Sequence, residues 1–96
     1  MTREISQITA AIKNLGLDSW LDLNGYIFYP KTMPLFHIKL DNIDIGCYSW
    51  IKDGTKYSRI VIVDKSKSPA DLNKLGKELV RAVKDKWKRN VDFVVR

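Results

Sequence analysis

Hydrophobic positions along this chain change period several times, and each change marks an element. Ile5, Ile8, Ile12 and Leu15 recur at spacings of three and four, the single stripe of an amphipathic helix. Thr2 stands where an N-cap belongs, Glu4 suits the positive end of the helix dipole, and Gly16 supplies a stop. Two strand-like runs follow, Trp20–Leu23 and Tyr26–Tyr29, separated by Asn24-Gly25, a strong short hairpin signal. Pro30 and Pro34 bracket a loop. Phe36, Ile38 and Leu40 then alternate with His37 and Lys39, the period of a half-buried strand. After a turn at Asp41-Asn42, Ile43, Ile45 and Cys47 alternate with Asp44, Gly46 and Tyr48. Asp53-Gly54 is a second hairpin turn, and its return strand runs from Thr55 to Val63.

The period then returns to that of a helix. Ser68 is placed as N-cap, Pro69 as the first helical residue and Asp71 in the capping-box position. Leu72, Leu75, Leu79, Val83 and Trp87 form its buried stripe, with Val80 beside it. Gly76 lies on this apolar side, where it costs about 1 kcal/mol against Ala; the expected return is close packing on the sheet. Asn90 is expected to stop the helix, and Val91–Val95 to form a short final strand. The sequence therefore predicts one α+β domain over residues 1–96: helix, antiparallel four- to five-stranded sheet, helix, short terminal strand, with both helices on one sheet face.

A two-residue turn at Asp53-Gly54 fixes the register of the central hairpin. Ile45, Cys47, Ile60 and Ile62 then share one face and belong to the core. Tyr48, Trp50, Tyr57 and Arg59 share the other, which is expected to be open to a partner. Aromatic rings beside an Arg can stack bases, and cations hold phosphates. The same four side chains can instead serve only to pack across the strands.

Charge changes the picture by its distribution. The net charge is +6. Through Trp50 there are four Lys/Arg against five Asp/Glu, and from Ile51 onward thirteen against six. Lys74, Lys77, Arg81, Lys84 and Lys88 follow spacings of three and four, which confines them to one arc of the last helix, away from the leucines. Lys65 and Lys67 precede the helix, where free N–H groups suit a phosphate. These seven cations are the expected nucleic-acid contacts. Asp71, Glu78 and Asp85 run alongside and can pair with them.

Candidate chemistry is sparse. The order helix–three strands–helix, with lysines at the second helix, is similar to that of double-stranded RNA-binding domains, but Pro69 and Asp71 interrupt the dense lysine run of that family. Helix–three strands–helix–strand is the order of the restriction-endonuclease-like core, in which an acid-x-Lys pair holds Mg²⁺; Asp64 stands near the expected place, but Ser66 occupies the lysine position. Asp41 and Asp44 read as turn formers. One histidine, His37, and one cysteine, Cys47, make no zinc site of the usual kind, and Cys47 falls on the core face. No catalytic residue, cofactor or metal site is assigned.

A lone cysteine and the absence of a long apolar run point to a cytoplasmic protein without membrane contact. The function expected is a small, basic, non-enzymatic nucleic-acid-binding protein. The other reading is an interaction or inhibitor protein, of the kind viruses and mobile elements encode, that meets an acidic or nucleic-acid-binding host protein through the aromatic face. A homodimer through the terminal strand is a third expectation.

Overall fold

The apolar stripe at spacings of three and four predicts a first helix, and that helix forms. In the computed structural model, α1 spans Thr2–Leu15 and contributes Ile8 and Ile12 to the core, while Leu15 is exposed. The structure describes residues 2–25, 27–28, 34–65 and 72–96, with side chains described from residue 6 and not for 27–28. Gly16, at φ 81°, ends α1 by donating its N–H to the Ile12 carbonyl at 2.9 Å.

The next element corrects the expectation. Trp20–Leu23 is not a strand and Asn24-Gly25 is not a hairpin turn; a second helix, α2, spans Leu17–Asn24. Leu17, Trp20 and Leu21 fall at i, i+3 and i+4 and are all buried, whereas Leu23 is exposed. That spacing belongs to a helix, and the strand-like alternation of Leu21 with Leu23 was coincidental. Asn24 closes α2 by donating its side-chain amide to the Trp20 carbonyl at 3.1 Å.

The strands are β1 (Ile27–Phe28), β2 (Leu35–Lys39), β3 (Ile43–Lys52), β4 (Thr55–Asp64) and β5 (Asn90–Val95), in that spatial order. The first three neighbour pairs are antiparallel, but β5 lies parallel to β4, so the sheet is mixed and not wholly antiparallel. The reason is the intervening helix. From β4 the chain crosses over through α3, Leu72–Trp87, and such a crossover returns a strand in the same direction. The final strand thus pairs with its own sheet. This also departs from the double-stranded RNA-binding arrangement, which the sequence order had resembled.

The Asp53-Gly54 turn has the predicted geometry, with φ 51° and 77° at its two residues, and the register follows from it: Trp50 opposes Tyr57, Tyr48 opposes Arg59, Cys47 opposes Ile60 and Ile45 opposes Ile62. On the inner face Phe36, Ile38, Ile43, Ile45, Cys47, Ile60 and Ile62 form one cluster with residues of all three helices. α3 packs on β4 and β5, and α1 packs on α3 and α2. Gly76 has the expected purpose: a Cβ there would run into the Phe93 ring, so its absence lets β5 seat against the helix. The predicted cap at Ser68, Pro69 and Asp71 lies outside the described residues. α3 stops at Trp87, not at Asn90; Lys88 takes φ 51° and Asn90 opens β5.

Candidate nucleic-acid interface

The outward arc of α3 carries Lys74, Lys77, Arg81 and Lys84, all exposed. Of the acids beside it, Glu78 is drawn toward α1. Glu78 pairs with Lys13 of α1 at 3.4 Å and reaches Arg81 only at 3.9 Å. Lys86 pairs with Asp18 of α2. These links tie α3 to α1 and α2. Lys88 leaves the helix itself, taking φ 51° at a turn just beyond the end of α3.

That turn creates a feature the linear sequence did not reveal. An open cleft of about 640 Å³ lies between the end of α3 and the tip of the β3–β4 hairpin. Lys84, Lys88 and Arg89 line it from the helix side and Lys56 from the hairpin side, with Asp85 as its one carboxylate. Lys56 stands opposite Ile51, on the face that forms the core farther down the ribbon. Because the hairpin tip overhangs the core, both residues are exposed. The overhang was the missed signal, since β3 is ten residues long and β2 only five.

Arg89, which is not among the seven expected cations, also borders the cleft. It is only 5% exposed. Its guanidinium donates to the carbonyls of Tyr57 at 2.9 Å and Trp50 at 3.4 Å, joining the segment after α3 to both strands of the hairpin. Burial lowers its pKa from the ordinary arginine value. Nearby the core face turns polar. The Ser49 hydroxyl donates to the Pro34 carbonyl at 2.6 Å, which leaves Ser58 to donate to Ser49 at 2.8 Å. Cys47 lies at the boundary, and burial pushes its thiol up to about 12, so it stays protonated and unreactive.

On the outer sheet face the predicted quartet does assemble. Trp50 and Tyr57 stack with centroids 5.7 Å apart and planes 15° apart. Arg59 Cζ lies 5.9 Å from the centre of a Trp50 ring. Arg59 also forms a two-pronged bond to Asp92 of β5, with both contacts 2.9 Å. That hydrogen-bonded carboxylate raises the Arg59 pKa, and the guanidinium holds the Asp92 carboxyl below its ordinary value. Asp92 was not among the expected residues; only the parallel pairing of β5 places it opposite Arg59. His37 lies exposed on this same face.

The loop before α3 is met only in part. Lys65 donates to the Leu40 carbonyl at 2.9 Å and pairs with Asp44 at 3.2 Å, so its ammonium closes the β2–β3 turn. Lys67 lies outside the described residues. Among the described residues no group of three His, Cys, Asp or Glu side chains is placed to hold a metal ion, and no helix is long and apolar enough to cross a membrane. Comparison of the chain with family models, with curated proteins and with solved structures finds no match in any of the three.

Proposed function

We propose that this protein is a non-enzymatic nucleic-acid-binding module that grips the phosphate backbone. Lys74, Lys77, Arg81 and Lys84 supply the arc on α3, and Lys88 and Lys56 continue it into the cleft. The cleft carries the reading: cations from two distant parts of the chain converge on one concavity that holds a single carboxylate. A solvated helix face would explain the arc alone, but it does not explain Lys56 facing Lys84 and Lys88 from the hairpin. Lys84 also answers the negative end of the helix dipole, so part of its charge is already used locally.

The test is an anisotropy titration of labelled nucleic acid over a range of salt. Affinity should fall steeply with salt, and each lysine removed should reduce the log–log slope by roughly 0.7 to 0.9. Lys84→Gln with Lys88→Gln should therefore flatten the slope by about twice that amount. No binding at low salt, or binding that ignores salt, overturns the reading.

The second reading is an interaction or inhibitor protein that uses the outer face. Two observations favour it: Asp92 neutralises Arg59, and Tyr48 and Trp50 are exposed on that face. A stoichiometric protein partner that survives nuclease treatment and is lost with Tyr48→Ala distinguishes it from the first.

A further inference from the structure

We infer that the ligand is a single strand, which passes from the cleft onto the outer sheet face with its phosphates on the cations and its bases on the aromatic rings. This rests on the nucleic-acid reading above and goes beyond it by naming the strandedness.

The first ground is continuity. Asn90 lines the cleft and is also the strand partner of Tyr57 on the outer face. Thr55 lines the cleft and opposes Lys52 at the rim of that face. The two surfaces, which the sequence suggested as separate, therefore meet at the hairpin end.

The second ground is the posture of Tyr48. A Cβ on Gly46 would lie 3.0 Å from Cε2, 3.1 Å from Oη and 3.2 Å from Cζ of that ring. Tyr48 thus lies along its own strand with one side against the Gly46 backbone. Its residue exposure is 57%, so the opposite side meets solvent. An aromatic ring laid on a sheet with its other face open is a stacking platform for any unpaired base. Beside it Trp50, 38% exposed, is steadied by Tyr57 and by Arg59, which Asp92 fixes in turn. Arg59 here is a positioning residue and leaves phosphate contact to others. Lys39 and Lys52 add positive charge to the same face.

The third ground is shape. A strand that joins the α3 arc to the outer face must turn around the end of a molecule 18 Å across its shortest axis. Duplex DNA, with a persistence length of about 500 Å, resists such a turn, and its bases are already stacked on one another. A single strand bends freely and offers its bases.

The experiment compares labelled oligo-dT, oligo-U and a duplex of equal phosphate count, with inorganic polyphosphate as a base-free competitor. 5-Fluorotryptophan labelling then reports Trp20, Trp50 and Trp87 separately by ¹⁹F NMR. Binding to either oligomer should exceed duplex binding by roughly tenfold or more, and the tighter of the two assigns the preferred sugar. Tyr48→Ala should cost roughly tenfold for the single strand and little for duplex, while Tyr48→Phe keeps the affinity. The Trp50 resonance should move on titration and that of buried Trp20 should not. Duplex or polyphosphate bound as tightly as the oligomers, with Tyr48→Ala silent, overturns this inference and leaves the phosphate-binding reading standing. Failure to bind any polyanion at low salt overturns both.

Discussion

The β3–β4 ribbon has two halves that obey the same alternation and meet different fates. In the inner half, Ile43, Ile45, Cys47, Ile60 and Ile62 are sealed against the helices. In the outer half, Ile51 occupies an equivalent position on the same face and is 53% exposed. The difference lies in the neighbours. β2 follows β3 only as far as Cys47, where Phe36 is its partner. Past that point Ser49, Ser58 and Arg89 replace aliphatic packing with hydrogen bonds. Alternation along a strand therefore assigns a residue to a face, but what lies over that face decides whether the residue is buried. The inner half is packed into the core, and the outer half, beyond the reach of β2, stays exposed.

The sharpest way to break this comparison is to damage each half separately. Ile62→Ala in the sealed half should destabilise the protein by about 2 to 5 kcal/mol in urea unfolding, because the cavity it leaves is fully enclosed. A loss below about 1 kcal/mol would mean that the inner half is not the core it is taken to be.

Arg89→Met tests the junction between the halves. It should cost about 1.5 to 3 kcal/mol, the range for hydrogen bonds to a charged group, since two carbonyls lose their shared donor. Hydrogen exchange should quicken at the hairpin tip more than at Ile45 or Ile62. A uniform change along the ribbon would show that the two halves unfold as one.

Trp50→Ala should cost only about 0.5 to 1.5 kcal/mol, the value of an aromatic pair. Its effect on single-strand affinity should be the larger one. A destabilisation matching that of Ile62→Ala would place Trp50 in the core and contradict the comparison.

The smallest effect is expected from Asp92→Asn, read against pH. The Asp92 pKa is depressed in the folded protein, so its contribution to stability is complete above the ordinary carboxylate value of 3.8 and disappears as pH falls through the depressed value. The gap between wild type and variant should thus be constant near neutrality and close in acid. The pair is exposed, so the gap should be narrow throughout and shrink with added salt. A gap that widens as pH falls would refute the assignment.

Much of this was legible in the sequence. The Asp53-Gly54 turn set the register of the central ribbon, and from that register the inner isoleucines and the outer aromatic quartet were both identified. The α3 stripe and the purpose of Gly76 followed from helical spacing. Trp20–Leu23 was misread because four residues can satisfy a period of two by chance, and only the burial of Leu17 with Trp20 and Leu21 distinguishes a helix there. Lys88 was assigned to the helical arc because Asn90 was read as the stop, whereas α3 ends at Trp87 and Lys88, a lysine with no turn signal, takes the positive φ.

The sequence alone determined what depends on neighbours along the chain: turn geometry, the side of an element on which a residue falls, and the placing of positive charge in the second half. Tertiary structure decided what depends on neighbours in space. It set β5 parallel to β4 and so brought Asp92 to Arg59. It buried Arg89 beneath the hairpin. It also joined Lys56 to Lys84 and Lys88 across a cleft. Hydrogen-bond and side-chain periodicities are local and can be read residue by residue. Which surface covers a face is a property of the whole packed chain, and the candidate site exists because that covering stops at Cys47.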